Sequence, residues 1–131
     1  MSLLYGNEVS LDQKTLDYLW QRQNITVNNI ANVDTPKFKS QYLTFEDTLA
    51  SRIRLAKKGT IRAGEADKID RAIRHTTATV HTTDNETSRL DGNNVDMDQE
   101  QVSLAKTAYE YQMLVNSVSN SLKRLDAAAK S

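Results

Sequence analysis

A heptad pattern at the C-terminal end of the chain constrains the fold more than any other sequence feature. Apolar or small residues recur there in alternating steps of four and three, the period that keeps one stripe of a helix facing a partner helix. The pattern predicts a helix over residues 98–129 that needs another helix to cover its stripe, although an ordinary core helix of a bundle would have a similar period. The stripe consists of Leu104, Ala108, Tyr111, Val115, Val118, Leu122, Leu125 and Ala129.

A second helix with the same period is predicted near the other end of the chain, over residues 11–32. Its stripe consists of Leu16, Trp20, Gln23, Val27 and Ile30. Two stripes of equal period favour pairing of the terminal helices, antiparallel or side by side, as a coiled coil or bundle. The chain is therefore predicted to be mainly α-helical and to form one domain over residues 1–131, of which residues 1–10 show no apolar periodicity.

The predicted N-terminal helix ends in a run of asparagines before the only proline of the chain. Asparagine is unfavourable inside a helix because its amide competes for backbone groups, and proline forces the residue before it towards extended geometry. We therefore expect a sharp turn, stabilised by side-chain hydrogen bonds, where this helix ends. The residues of this turn segment are Asn28, Asn29, Asn32, Asp34, Thr35 and Pro36.

Residues 33–94 are predicted to contain this turn, a short helix and a flexible or partly β-stranded middle. Phe45 and Leu49 have the spacing of a short amphipathic helix, which is expected to stop near Gly59. The β-branched run 76–83 favours a strand or hairpin arm.

A turn and a helix cap are predicted just before the C-terminal helix. The run Asp91-Gly92-Asn93-Asn94 is a strong turn signal. Asp98, followed three residues later by Gln101, has the pattern of a helix N-cap. The C-terminal helix is therefore expected to begin at this aspartate.

Composition excludes several classes of protein. The 17 basic and 17 acidic residues balance, so the basic excess of a nucleic-acid-binding face is missing. The absence of cysteine excludes a disulfide framework and a zinc–thiolate site. No apolar run is long enough to predict a membrane span, and the N-terminus is not expected to act as a cleaved Sec signal.

The titratable residues form no recognisable catalytic or metal-binding motif. His75 and His81 could lie on one face of a strand, but no third ligand stands at a suitable interval. The acidic run 91–100 places Gly92 second, whereas an EF-hand calcium loop needs its glycine at the sixth position. Paired carboxylates also lack an apolar pocket that would separate their pKa values. We therefore expect neither catalysis nor a cofactor or metal ion.

Two segments resemble the flagellar axial proteins, the family of rod and hook subunits. The run Asn28-Asn29-Ile30-Ala31-Asn32-Val33-Asp34-Thr35-Pro36 is similar to the N-terminal motif of that family, and residues 91–98 resemble proximal rod proteins in particular. The resemblance extends over residues 11–45 and 89–128. At Lys37 the chain departs from the family pattern, which often has glycine or asparagine there.

The resemblance implies a non-enzymatic subunit of the basal-body rod that leaves the cytoplasm through the flagellar type III export apparatus without a cleaved Sec signal. It implies terminal helices that pack as coiled coils in a hollow, torque-transmitting periplasmic rod. The implied partners are other rod proteins, basal-body components, the export gate, and further copies of this or related subunits. It also implies an export-gate motif at Phe45 and Leu49, which the burial of a short amphipathic helix would explain equally well.

Two other functions are alternatives at the level of the sequence. A cytoplasmic helical adaptor or export chaperone for flagellar components would have the same apolar stripes, but it would stay in solution with its client. A small cell-wall hydrolase would need clustered acids in a pocket, and the sequence contains no motif for one.

Overall fold

Two long terminal helices flank the shorter elements of the chain. The computed structural model describes residues 2–56, 65–84 and 89–130. In chain order the elements are α1 (Ser2–Ala31), β1 (Gln41–Thr44), α2 (Glu46–Ala56), α3 (Glu65–Arg74), β2 (Thr79–Thr82) and α4 (Met97–Lys130). The mainly α-helical fold class predicted from the sequence is confirmed.

The two long helices, α1 and α4, lie side by side and antiparallel. Asn29 near the end of α1 donates a hydrogen bond to Glu100 near the start of α4, and Leu11 near the start of α1 lines the same groove as Leu114 farther along α4. The predicted pairing of the terminal helices is therefore confirmed. α1 begins at Ser2, nine residues before the predicted start at residue 11, because an established helix extends at little cost through residues without apolar periodicity.

The N-cap of α4 is Asp96 and not the predicted Asp98. The Asp96 carboxylate accepts hydrogen bonds from the backbone N–H groups of Asp98 at 3.1 Å and Gln99 at 3.3 Å. Each of the two aspartates is followed three residues later by a glutamine, so the capping pattern alone does not distinguish them.

The two short strands β1 and β2 pair antiparallel, with Leu43 opposite Val80 and Tyr42 opposite His81. Leu43 is buried and Tyr42 is exposed, as the alternation of side chains along a strand requires. The strand predicted within residues 76–83 is confirmed as β2, whereas β1 has only four residues and gave no distinct sequence pattern.

The main apolar core lies where α1, β1 and the start of α2 meet. Tyr18 and Phe45 are in ring contact there, with a centroid separation of 4.9 Å. Burying each apolar side chain of this size stabilises the fold by about 1.5–3 kcal/mol. The buried members are Tyr18, Leu19, Leu43, Phe45 and Leu49, and the half-buried residues packed against them are Leu11, Ile25, Ala78, Tyr111 and Leu114.

Polar contacts hold α3 and the chain that follows it against α1. Lys14 Nζ donates to the carbonyl of Arg74 at 3.1 Å, and the Tyr18 hydroxyl donates to the carbonyl of Thr76. Ile73 of α3 is 1% exposed. Part of the middle region is therefore ordered by α1, whereas the predicted stop of α2 near Gly59 lies outside the described residues.

Among the helices described, none combines the length and the apolar character needed to cross a membrane.

Candidate functional site

The two sequence segments that resemble the flagellar axial family lie against each other in the structure. The first contains the end of α1 and the loop to β1, and the second runs from Arg89 to the first turn of α4. We refer to the contacts among residues 29–41, 89–95 and 100 as the joint. Buried amide side chains and backbone groups make most of its hydrogen bonds.

Asn29 connects α1 to both β1 and α4. Its Nδ2 donates to the Gln41 carbonyl at 2.7 Å and to Glu100 Oε2 at 3.0 Å, and its Oδ1 accepts from the Gln41 N–H at 3.0 Å. The amide thus pairs with both backbone groups of Gln41, as a neighbouring strand would. Asn29 is 1% exposed, so water cannot easily replace these bonds.

Asn93 connects the turn after α1 to the segment before α4. Its Nδ2 donates to the carbonyls of Asn32 and Thr35, both at 2.8 Å, and its Oδ1 accepts from the Val95 N–H at 2.8 Å. The residue is 0% exposed. An asparagine is needed here because only a primary amide offers two donors and an acceptor in so small a side chain.

Asn94 and backbone contacts extend the joint to the strands. The Asn94 side chain accepts from the Ser40 N–H and donates to the Thr83 carbonyl, each at 2.7 Å. The Lys37 N–H donates to the Asp91 carbonyl at 2.7 Å. These bonds fix the position of the strand pair relative to the starts and ends of the long helices.

The joint contains two residues in the left-handed backbone region. Lys37 has a φ of 64° and Gly92 a φ of 76°. A Cβ atom at Gly92 would meet the Lys37 Cα at 3.6 Å, and Lys39 Nζ donates to the Gly92 carbonyl at 2.6 Å. The left-handed conformation explains why glycine or asparagine suits position 37, since both tolerate this region better than lysine.

The other predicted turn residues lie towards solvent. Asn32 Nδ2 donates to the Asn28 carbonyl at 2.7 Å, and Asn32 Oδ1 accepts from Thr35 Oγ1 at 3.0 Å. Asp34 and Pro36 are exposed. The turn segment therefore has a buried side, made by Asn29 and backbone carbonyls, and a side that faces outwards.

The predicted apolar stripe of α1 does not form the core face of the helix. Trp20 is 55% exposed and Val27 is 48% exposed, while Leu16 and Ile30 are half-buried. Among residues 9–31 of α1, those that are buried are Tyr18, Leu19, Thr26 and Asn29. The four apolar residues of the predicted stripe, Leu16, Trp20, Val27 and Ile30, are called the outer stripe below.

The predicted stripe of α4 divides into two edges. Its half-buried members are Leu104, Tyr111, Val118 and Leu125, and its exposed members are Ala108, Val115, Leu122 and Ala129. The fully buried positions of α4 are the small hydroxyl residues Thr107 and Ser121. The covered face of α4 is therefore rotated away from the predicted stripe, and one apolar edge is left uncovered.

Phe45 and Leu49 lie in the core, 3% and 8% exposed respectively. Phe45 directly precedes α2, and its carbonyl accepts the N–H of Leu49 at 2.8 Å. Burial on the short helix therefore accounts for their apolar character in the folded chain, and their role as an export-gate motif stays a prediction.

The carboxylates of Glu46, outside the joint, and Glu100, within it, have opposite pKa shifts. A hydrogen bond from Arg22, at 2.6 Å, lowers the pKa of Glu46 to about 2. Removal from water raises the pKa of Glu100, against the hydrogen bond from Asn29, with Asp96 adding to the rise. Glu46 is thus held ionised by a cation, whereas the ionised form of Glu100 is disfavoured.

The histidines do not meet in a ligand cluster. His81 Nε2 lies 2.8 Å from Thr44 Oγ1, and its ring stacks on Tyr42 with centroids 4.9 Å apart. His75 is exposed at the end of α3. Within residues 2–56, 65–84 and 89–130, no group of three or more histidines and carboxylates could hold a metal ion.

Sequence reasoning missed the role of Arg89 and the buried amides before α4. Arg89 Nη1 donates to the Val33 carbonyl at 2.7 Å, and Nη2 lies 3.3 Å from an Asp91 carboxylate oxygen. The turn signal around Gly92 marked the place but not the function of Asn93 and Asn94. Asn93 binds Asn32 and Thr35, about sixty positions earlier in the chain, and Asn94 binds Ser40, 54 positions earlier. These partners are beyond any local sequence pattern.

Comparisons with known proteins agree with these features. Residues 15–39 match the family described as "Flagella basal body rod protein". The chain is 30% identical over 136 residues to the flagellar basal body rod protein FlgB of Bacillus subtilis, covering 99% of this chain and 100% of that protein. It is 31% identical over 139 residues to FlgB of Borrelia hermsii, with 97% and 98% covered, and 29% identical over 116 residues to FlgB of Escherichia coli, with 85% and 84% covered.

Proposed function

The chain belongs to the flagellar basal body rod protein family, and from that premise we propose how it acts within the rod. It is a component of the flagellar basal body. We propose that it is a structural subunit of the proximal rod, exported through the flagellar type III apparatus. Its terminal helices assemble with neighbouring subunits into a hollow periplasmic rod that transmits torque, without catalysis or a cofactor.

The outer stripe of α1 is the observation that carries this proposal. Trp20 and Val27 are about half exposed on a helix whose opposite face is already buried. A tryptophan and an aliphatic stripe left in water favour association with another apolar surface, and aromatic anchors contribute strongly to such interfaces. The uncovered edge of α4, with Val115 and Leu122, offers a second and different surface.

Two different surfaces on one subunit suit an open-ended assembly. When the contact surface on one copy differs from the surface that it binds on the next, repeated association gives a ring or a helical filament. The joint would keep the two surfaces at a fixed angle, because its hydrogen bonds connect the end of α1 with the start of α4. Torque could then pass between subunits without rotation of one helix against the other.

Assembly is tested most directly by changing the outward side of the turn segment. Asn32→Ala removes three side-chain hydrogen bonds at a half-exposed site, so we expect a loss of about 1 kcal/mol in the free energy of unfolding. Rod formation and motility should fall by much more than this small loss of stability would explain. Pro36→Ala should have the same effect on rod formation and motility. Normal rods and motility with either variant would contradict this role.

Localisation separates the rod subunit from the alternative of a cytoplasmic adaptor or export chaperone. Basal bodies purified from the source bacterium and analysed by mass spectrometry should contain the chain in stoichiometric amount. If the chain is absent from basal bodies and co-purifies with a cytoplasmic client, the hypothesis of an adaptor or export chaperone replaces the rod proposal.

Export recognition of Phe45 and Leu49 would take place before folding, because both side chains are buried afterwards. In a secretion assay, Phe45→Ala should reduce export more than Leu43→Ala. Leu43 is a matched control, since it is 2% exposed in the same core but lies outside the motif. Equal loss of export with both variants would mean that core stability, and not the motif, matters.

A further inference from the structure

A continuous groove runs along one side of α4. Its first part, of about 610 Å³, lies between α1, α2 and α4, and its apolar lining includes Leu19, Phe45 and Leu114. Met113 and Ser117 line this part and also the next one, which extends along α4 towards its C-terminal end. The groove is thus apolar at one end and open to a polar helix face at the other.

The two ends of the groove have opposite charge. Asp12, Glu46 and Glu110 line the apolar end, and no lysine or arginine is among its lining residues in the described part of the chain. Lys123 and Arg124 line the other end, with no carboxylate among its described lining residues. Glu46 already pairs with Arg22, and Glu110 lies 3.8 Å from Lys106, but Glu110 is still accessible from the groove.

On the groove side of α4, two residues of opposite charge lie at equal sequence distances from Ser117. Glu110 lies seven residues before Ser117 and Arg124 lies seven residues after it. Met113 and Asn120 fill the intervals, and these five residues form a seam that advances in steps of three, four, three and four. This is a coiled-coil period with a small residue at the centre, where two helices can approach closely, and with opposite charges at equal distances from it.

We propose that this face binds a second copy of the chain, with the two α4 helices antiparallel and Ser117 opposite Ser117. In this arrangement Glu110 of each copy faces Arg124 of the other, and each α4 covers the apolar part of the other copy's groove. The pair is isologous, since the same patch is used on both copies, and it is closed. The balanced net charge of the chain opposes such association little.

This closed pair goes beyond the rod function and does not depend on it. Rod growth uses surfaces that continue from copy to copy, namely the outer stripe of α1 and the uncovered edge of α4. The antiparallel pair uses another side of α4 and ends at two copies. It is a state of the free chain, and its formation would hold subunits apart from open-ended growth.

A charge exchange at the seam tests the proposal in solution. Sedimentation equilibrium of the full chain should show a reversible monomer–dimer equilibrium. Glu110→Arg and Arg124→Glu should each weaken the dimer at least about tenfold, because two pairs become like-charged in each case. The double variant should regain the native dissociation constant. Circular dichroism of all four proteins verifies that the helices remain folded.

Crosslinking tests the predicted centre of the interface. The chain has no cysteine, so Ser117→Cys should give a single disulfide-linked dimer on mild oxidation, since the two Cα atoms would lie within bridging distance. Thr77→Cys, at an exposed loop position, is the matched control and should remain unlinked.

Four outcomes would overturn the proposal: a native chain that is monomeric at millimolar concentration, association that both single charge reversals leave unchanged, a double variant that does not recover, or equal crosslinking at both cysteine positions. None of these results bears on whether the chain is found in basal bodies, so failure of the dimer and failure of the rod function are distinguishable.

Discussion

The joint and the outer faces of the long helices differ in how their contacts are completed. In the joint, buried polar groups such as Asn29 and Asn93 find their partners within the same chain. Every buried side-chain nitrogen or oxygen among the described residues has a hydrogen-bond partner. On the outer stripe of α1, by contrast, Trp20 and Val27 are left about half exposed.

This difference separates the residues that define the subunit from those that are available to a partner. Hydrogen bonds are directional, so buried amides fix one geometry, whereas apolar contacts are less specific and can be made with another molecule. A subunit of a filament needs both, since a flexible joint would leave its two surfaces at variable angles.

Leu19→Ala and Trp20→Ala provide the largest test of this division, because the two residues are adjacent on α1 but differ widely in burial. Leu19 is 3% exposed, so Leu19→Ala should lower the free energy of unfolding by about 3 kcal/mol. Trp20 is 55% exposed, and Trp20→Ala should lower it by less than about 1 kcal/mol. Urea denaturation of the isolated chain measures both effects.

The order of the two substitutions by size of effect should reverse when assembly is measured in place of stability. Trp20→Ala should abolish motility although the chain stays folded, whereas Leu19→Ala should act only through reduced stability. If Trp20→Ala supports normal swimming, the outer stripe is not an assembly surface and the comparison of the two faces fails.

Asn93→Ala breaks the joint itself. It removes the side-chain partner of two carbonyls and one N–H at a site that is 0% exposed. Buried groups without partners are costly, so we expect a loss of roughly 2–3 kcal/mol in the free energy of unfolding. Asn24→Ala, at an exposed position of α1, is the control and should change stability by less than about 0.5 kcal/mol. Similar values for the two variants would show that the joint is not a source of rigidity.

The sequence predicts the long helices well because their heptads extend over many turns. It misidentifies the inner face of α1 because two stripes of the same period coexist on that helix. The inner stripe runs through Leu11, Thr15, Tyr18, Arg22, Ile25 and Asn29. Several of its members are polar, so a search for apolar periodicity selects the outer stripe instead.

The burial of the polar inner residues depends on partners that are distant in sequence. Arg22 donates to the Leu43 carbonyl at 2.8 Å and pairs with Glu46, and Asn29 binds Gln41 and Glu100. No local pattern reveals such partners, because each requires the strand and the second helix to be in place. The turn segment was therefore located from the sequence, whereas its contacts with residues 89–95 were not.

Lys37→Asn tests the joint with a substitution that is expected to stabilise the fold. Lys37 has a φ of 64°, in a region where lysine is disfavoured and asparagine is tolerated. The substitution should raise the free energy of unfolding by about 1 kcal/mol, measured by urea denaturation. Lys68→Asn, at an exposed position of the α3 helix, is the control and should not stabilise. A destabilised Lys37→Asn would indicate that the lysine side chain contributes more to the joint than its backbone strain removes.

Glu46→Gln gives the smallest effect and tests how the exposed Arg22–Glu46 ion pair differs from the joint. The pKa of Glu46 is lowered to about 2 by Arg22, so its ionised form contributes stability that is complete above its ordinary pKa of 4.5 and is lost as the pH falls towards 2. The side chain is 56% exposed, which limits this contribution to about 0.5 kcal/mol. Between pH 4.5 and 2, the Glu46→Gln variant should therefore lose about 0.5 kcal/mol less stability than the native chain.

Glu100 lies in the joint and has a raised pKa. Its protonation on acidification therefore favours the folded state, which is opposite to the effect of protonating Glu46. Glu100→Gln should therefore make the acid loss steeper, because it removes a stabilising proton uptake. Urea denaturation of the native chain and both variants between neutral pH and pH about 2 distinguishes the two carboxylates, since lowered and raised pKa values in the folded state give opposite slopes. Parallel pH profiles for the two variants would mean that Glu46 and Glu100 do not differ electrostatically.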